Sequence, residues 1–335
     1  MQTLLQNDLD LRSLVNNIRI YTPDFRAGMA ALTQWMLATL SGVQVCSLII
    51  GESGTGKTEL LKMFVAQHSA QRDQNGIIRP IVLVFTPTSP TAIGLLEAIL
   101  QALGDPRPGK GKRTDKMRRV VKALEDQKVL MLLLDDIQHC LDKNSGLVIY
   151  DASECLKELI NKTSVSIIGA GLEEAKDVVD SNEQSKKRHR APVRIRRFDW
   201  ADPESQNAFV ALLAAFQKHL HMFDMPKLAS PNVALRLYLA SGGLVDFVAK
   251  VLSQAVWDAL DCKRRLIALA DLGTAWLKAL HEAERLGKNP FDKTFNLKEE
   301  GLDEKIRLAK LINQHVARPV SKRHAKFLPL ATVQM

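Results

Sequence analysis

The chain contains no run of roughly 18 uncharged apolar residues, so no membrane-spanning helix is expected. Its opening, "MQTLLQNDLDLRSL", is too acidic for a signal peptide. Only four cysteines occur, Cys46, Cys140, Cys155 and Cys262. None stands at the close spacing of a zinc site or a redox dithiol, and they read as reduced core thiols. Aromatic residues make up 5% and none interleaves the basic segment at 107–119, which argues against stacking on single-stranded nucleic acid. Together these absences point to a cytoplasmic protein with no membrane partner.

What is present is ordinary for a globular chain: 335 residues, 46% hydrophobic and 25% charged, enough for two domains with extensions. The net charge of +9 suits a polyanionic partner. Short apolar runs alternate with helical patterns as far as about residue 198: Ser47 to Ile50, "PIVLVF" at 80–85, "VLMLLL" at 129–134, "SVSIIG" at 164–169 and "PVRIRRF" at 192–198. Helices are predicted over 91–103, 114–127 and 147–161. Buried strands separated by helices predict an α/β fold with a parallel sheet covered on both faces. From 203 to 286 the apolar spacing becomes wholly helical, which predicts a second, all-α domain. The predicted division is an N-terminal extension at 1–25, a nucleotide-binding domain at 26–200, a helical lid at 201–286, and a tail at 287–335. The tail is read as a partner-binding segment with one helix near 302–316.

The stretch "SLIIGESGTGKTELLK", residues 47–62, joins a buried strand to a helix through a glycine-rich turn. Gly51, four residues, Gly56, Lys57, Thr58 is the Walker A spacing. Gly51, Glu52, Ser53, Gly54, Thr55, Gly56, Lys57, Thr58 and Glu59 are the predicted nucleotide-binding residues. Loop N–H groups and the helix N-terminus cradle the phosphates, Lys57 reaches their outer oxygens, and the Thr58 hydroxyl ligates Mg²⁺. A second motif, "VLMLLLDDIQH", ends a strand in two acids, where ligands of such sheets gather. Asp135 is assigned to Mg²⁺ and Asp136 to the attacking water. "NKTS" at 161–164 lacks the Asp of a guanine-specificity loop, so the expected nucleotide is ATP. His139 reads as a packing residue, because no second His or Cys stands at a metal-binding interval.

A third segment, "RPGKGKRTDKMRR" at 107–119, concentrates positive charge behind a Gly/Pro-rich stretch predicted to be mobile. Lys112, Arg113, Lys116 and Arg119, with Thr114 as an N-cap, would meet phosphates without reading bases, as sequence-independent binding of double-stranded DNA requires. The alternative is a solubilising surface loop.

These motifs occur together with "YTPDF", "SIIGAGLEEA", "SNEQSKKRH" and the acidic, Trp-containing start of the lid, "FDWADPESQNAFVALLAAFQKHL". In this combination the chain resembles the AAA+ ATPases that select target sites for transposition, the TnsC/TniB group, with MuB and IstB as more distant relatives. The resemblance implies an AAA+ P-loop NTPase with a five-stranded parallel sheet and a helical lid. It also implies ATP and Mg²⁺ as cofactors, a bacterial setting, and a homo-oligomeric ring or helical filament on double-stranded DNA. Transposase subunits and a target-recognition protein or complex are the implied partners, and slow hydrolysis would control disassembly. Arg188 matches the arginine presented to the neighbouring subunit's γ-phosphate, with Arg190 the nearest substitute. The family's DNA contacts fall in the region of the 107–119 segment. Two departures are visible: the fourth strand ends in Gly169, Ala170 and Gly171 without a polar sensor, and "SGGLVDF" lacks the lid arginine. A loader or remodeller of a helicase or other protein, and a regulatory module that never hydrolyses its nucleotide, remain as other readings.

Overall fold

The structure, a computed structural model, describes residues 2–74, 76–88, 91–140, 146–176, 189–285, 287–297 and 301–313. Helix α1 (Gln2–Asn17) precedes α2 (Pro23–Leu40). The start of α2 is written in "YTPDF": the Thr22 hydroxyl accepts from the Phe25 N–H at 3.2 Å, and Pro23 occupies the first turn, where no N–H is needed. Strand β1 (Cys46–Ile50) then leads through the glycine-rich loop into α3 (Lys57–Gln67). A small hairpin, β2 (Gln71–Asp73) and β3 (Gly76–Ile78), precedes β4 (Ile81–Phe85). Helices α4 (Ala92–Ala102) and α5 (Arg113–Asp126) lead to β5 (Met131–Asp135), and α6 (Gly146–Lys162) to β6 (Ser166–Gly171) and β7 (Val193–Arg194).

The main sheet has the order β4-β5-β6-β1-β7, and its ladders are parallel. Every residue of β1, β5 and β6 is buried, which is why these strands read as uninterrupted apolar runs rather than alternating ones. One sheet face packs Leu95, Ile99, Val120 and Leu159 of the crossover helices, and the other packs Leu32, Leu60 and Phe64. The strand predicted over 192–198 is paired only at Val193 and Arg194, with one further bond from Ile195 N–H to Ile50 O at 2.8 Å. Beyond Ile50 its neighbour turns into the loop and no ladder is left to join.

The all-α domain comprises α7 (Pro203–His219), α8 (Pro231–Ser241), α9 (Val245–Asp261) and α10 (Leu269–Ala279) around Phe209, Leu213, Phe247, Val251 and Trp276. Two segments outside the predicted lid pack against its core. Within the N-terminal extension, Val15 lies in that core, the Trp257 Nε1–H donates to Arg12 O at 2.8 Å, and α1 packs on α9. Part of the predicted tail does the same. Helix α11 (Leu302–Ala309) and the turn after it bury Ala309 and Ile312 in the same core. Among the described residues Cys46, Cys140 and Cys155 are buried and Cys262 is exposed, so only three of the four are core thiols; burial pushes the Cys140 and Cys155 thiols up to about 12. No described helix is long and apolar enough to cross a membrane.

Candidate nucleotide site

The loop between β1 and α3 lies at the carboxyl ends of the strands, and its glycines have separate reasons. Gly54 and Gly56 take φ of 82° and 99°, left-handed backbone that costs a side chain roughly 1 kcal/mol or more. A Cβ on Gly51 would overlap the Ile195 carbonyl oxygen. Lys57 is buried at 7% exposure, and its ammonium donates to the loop's own Gly51 O and Glu52 O, both at 2.8 Å. Burial lowers its pKa, while Asp135, Asp136 and Glu52 pull it back up. The ammonium is thus held inside the concavity of the loop by two carbonyls that a phosphate oxygen can replace.

Asp135 ends β5 beside this loop at 1% exposure. Its Oδ2 is buried without a hydrogen-bond partner among the described residues, and Oδ1 accepts from the Asp136 N–H at 3.1 Å. Burial raises its pKa, opposed by the adjoining Thr58 hydroxyl and Lys57. An orphaned carboxylate oxygen next to a hydroxyl is a hard-oxygen donor pair, of the kind Mg²⁺ takes together with phosphates. Among the described residues there is no group of three or more His, Cys, Asp or Glu that could hold a metal ion.

The raised pKa yields a prediction. A carboxyl whose folded pKa lies above its unfolded value contributes stability below the unfolded pKa and loses it as pH rises through the folded one. At neutral pH, therefore, Asp135→Asn should stabilise the nucleotide-free protein by about 1 kcal/mol, a melting rise of about 2–4 °C. The gain should disappear toward low pH, and added MgATP should no longer stabilise the variant. Differential scanning fluorimetry across pH tests this; an unchanged or lower neutral-pH melting temperature would refute it.

Asp136 follows in left-handed backbone, φ 53°, a conformation Asp tolerates. Gln138, unremarked in the sequence reading, donates from Nε2 to Asp136 Oδ1 at 2.9 Å while its Oε1 accepts from the Leu172 N–H at 3.2 Å. A Cβ on Gly171 would run into that Oε1, so the bare end of β6 is the space Gln138 needs. The missing polar sensor and the glycines that replace it are two sides of one arrangement. The sequence signal was present: a Gln two residues beyond the acids, opposite a Gly-Ala-Gly strand end.

Other predicted residues have different surroundings. The Thr55 hydroxyl donates to Glu52 O at 2.8 Å, and Ser53 offers its carbonyl. Glu59 faces away, paired with Arg19 at 2.6 Å. Glu52 is bound by Arg197, a residue not predicted. Arg188 lies outside the described residues. Arg190 N–H bonds Cys46 O at 2.9 Å, which puts Arg190 at the opposite end of β1 from its own phosphate loop. An arginine there cannot serve the site of its own chain.

The basic segment is corrected most. Its loop was expected to be mobile with Lys116 facing outward, yet Lys116 is 1% exposed. Its ammonium donates to Gly109 O at 2.7 Å and Gly111 O at 2.8 Å and pairs with Glu97 at 3.2 Å. Arg119 donates to Lys110 O, Arg107 O and Asp105. Two cations predicted to meet phosphates are instead the internal struts of the loop. Arg113 is paired with Glu158 at 3.1 Å. The helix begins at Arg113 and not at Thr114, because the Asp115 carboxylate caps the Lys112 N–H at 3.3 Å. Exposed charge remains on Arg107, Lys110, Lys112 and Arg118.

A family described as the bacterial TniB protein matches residues 13–199 of the chain. No curated protein matches it in sequence. Among solved structures, the ORC2 protein of Aeropyrum pernix in ADPNP–ADP complexes aligns with TM-score 0.58 and 15% identity, covering 82% of this chain and 73% of that one. Cdc6p from Pyrobaculum aerophilum gives TM-score 0.59 and 14% identity, with 80% and 71% covered. The Aeropyrum pernix ORC1 protein in complex with DNA gives 0.56 and 18%, with 80% and 69% covered. At these identities the likeness is one of fold.

Proposed function

This chain belongs to the TniB family, and from that premise we propose that it is an ATP-dependent regulator of DNA transposition. In this reading it assembles as a ring or filament on double-stranded DNA, marks the target and recruits transposase subunits under the direction of a target-recognition protein. The observation that carries the reading is the convergence of a phosphate-binding loop, its buried Lys57 and an orphaned Asp135 at one end of a parallel sheet.

The chain's own groups define the chemistry. Lys57 exchanges its loop carbonyls for phosphate oxygens of ATP. Asp135 and Thr58 would hold Mg²⁺, which would supply charge neutralisation at the phosphates. Asp136, one oxygen tied to Gln138, presents the other to the attacking water. Arg188, or Arg190 in its place, completes the neighbouring subunit's site. Slow turnover is expected from the short Asp136 side chain and from the lid stretch "SGGLVDF", which lacks the lid arginine. Nucleotide acts as an assembly switch.

Duplex binding is assigned to the exposed members of the strutted loop, Arg107, Lys110, Lys112 and Arg118. With a non-hydrolysable ATP analogue, Lys112→Ala and Arg118→Ala should each reduce the slope of log affinity against log salt by about 0.9, equally on two unrelated duplexes. Lys116→Ala should cost more than one contact, because the loop collapses with its strut. Electron micrographs should show assemblies on DNA with the analogue and none with ADP. Unchanged slopes in all three variants would make this a solubilising loop and move the DNA track to the basic run at 186–197. Fast ATP turnover without DNA-bound assemblies would favour a loader.

A further inference from the structure

The all-α domain carries two basic stretches that no motif accounts for, "KHLHMFDMPK" at 218–227 and "CKRRL" at 262–266. The fold joins them: the Asp224 N–H donates to Arg265 O and the Ile267 N–H to Asp224 O, both at 2.8 Å. We propose that the surface formed by Lys218, Lys227, Lys263 and Arg265 is a second contact for the phosphate backbone of double-stranded DNA. This rests on the DNA reading above and adds a part of the chain outside the 107–119 loop.

Local bonds hold the backbone that carries these cations. The Gln217 side chain closes the loop after α7, its Oε1 accepting from the Leu228 N–H at 2.8 Å and its Nε2 donating to Pro226 O at 3.4 Å. Lys218 and Lys227 therefore stand at the two ends of one closed loop. The Arg265 guanidinium lies over the Phe223 ring of that loop, 5.2 Å from its centroid. Lys263 follows α9 in left-handed backbone, φ 53°, where its N–H bonds Leu260 O and the Arg264 N–H bonds Ala259 O, both at 2.9 Å. Such a helix ending ordinarily takes glycine, because a Cβ is costly there. Lys128 occupies the equivalent place after α5, and its ammonium is paired with Asp73 at 3.9 Å. Lys263 has no such carboxylate.

Free charge distinguishes this surface. Lys218, Lys227, Lys263 and Arg265 are exposed, and none pairs with a carboxylate among the described residues. In the 107–119 loop, by contrast, Arg113, Lys116 and Arg119 are each bound to an acid. Of the acids nearby, Asp271 is taken by Arg264 and Asp261 by Arg12, and Asp224 is the one acid within the two stretches. A cation without an acid can neutralise a phosphate and release its counterion without first breaking an ion pair. A protein partner would call for a cluster of aromatic or apolar anchors. Among large apolar side chains the two stretches expose only Met222 and Leu266, and they expose no aromatic ring to stack on unpaired bases. Lys218 and Lys263 also stand at helix C-termini, where a cation offsets the helix dipole. A role confined to the dipole would show in stability and leave the salt dependence of DNA binding unchanged.

The test is a salt titration of the full chain on a labelled duplex, read by fluorescence anisotropy with a non-hydrolysable ATP analogue present. Lys218→Ala, Lys227→Ala and Lys263→Ala together should lower the slope of log affinity against log salt by about 2.7, at about 0.9 for each contact. The loss should be equal on two unrelated duplexes, with the melting temperature unchanged. Arginine at the same three positions should keep the parent slope. Lys263→Gly alone should raise the melting temperature and still lower the slope by about 0.9. A parent-like slope in the triple alanine variant, while Lys112→Ala and Arg118→Ala lower theirs, would overturn the inference and leave the DNA reading standing. A lower melting temperature with a parent-like slope would overturn it and assign the lysines to the helix ends. Parent-like DNA binding with loss of transposase recruitment would overturn it in favour of an acidic protein surface. A parent protein that shows no salt-dependent binding to duplex would overturn the DNA reading, and the inference with it.

Discussion

Lys57→Ala is expected to weaken nucleotide binding by at least about 100-fold, and with it to abolish nucleotide-dependent assembly on DNA. The magnitude follows from charge-assisted hydrogen bonds, about 1.5–3 kcal/mol each, made by an ammonium that is already out of water. In the nucleotide-free protein that ammonium is held by Gly51 O and Glu52 O, so binding exchanges one pair of oxygens for another and exposes no new charge. Removing it also takes the nearest cation from Asp135 and Asp136, which leaves two carboxylates facing an incoming polyphosphate. Fluorescence titration with an ATP analogue measures the loss, with far-UV circular dichroism to confirm the fold. Affinity within a few-fold of the parent would mean that the glycine-rich loop holds something other than a nucleotide.

Asp136→Asn should separate binding from hydrolysis. ATP affinity should stay within about threefold, while the turnover rate falls about 100-fold or more, the usual contribution of a group that takes up a proton in the transition state. The carboxamide retains an oxygen for Gln138 Nε2 and loses the charge that polarises water. DNA-bound assemblies should then persist after excess ADP is added. Gln138→Ala should give a smaller fall of about tenfold with affinity unchanged, because it loosens Asp136 without removing it. A variant Asp136→Asn that no longer binds MgATP would reverse the roles of the two acids, and unchanged phosphate release would remove Asp136 from the mechanism.

Several of these features could be read directly from the chain. The turn between β1 and α3 was legible because its backbone has no substitute for glycine: Gly56 needs left-handed backbone and Gly51 has the Ile195 carbonyl against it. The sheet was legible because a strand covered on both faces must be apolar throughout, as "SLII" and "VLMLLL" are. Asp135 and Asp136 were legible because a buried strand that breaks into acids has to end at a polar site. Local sequence determined these elements because each depends on one residue's backbone range or on the burial of one short segment.

Tertiary structure alone decided which charges are free. Lys112 and Lys116 look alike in "GKGKRTDKMRR", yet one is exposed and the other is buried under Gly109 and Gly111. Glu52 was read as a ligand contact and is bound by Arg197, 145 positions away; Arg197 in turn reaches Lys310, another 113 positions on. Helix α1 and the 301–313 segment carry apolar residues whose partners lie far along the chain, and only the surface of the all-α domain shows what they complete. A side chain's charge is a local property. Whether it meets solvent, a carbonyl or a carboxylate depends on which distant stretch the fold brings beside it, and for Lys116, Gln138 and Arg197 that neighbour is set by packing.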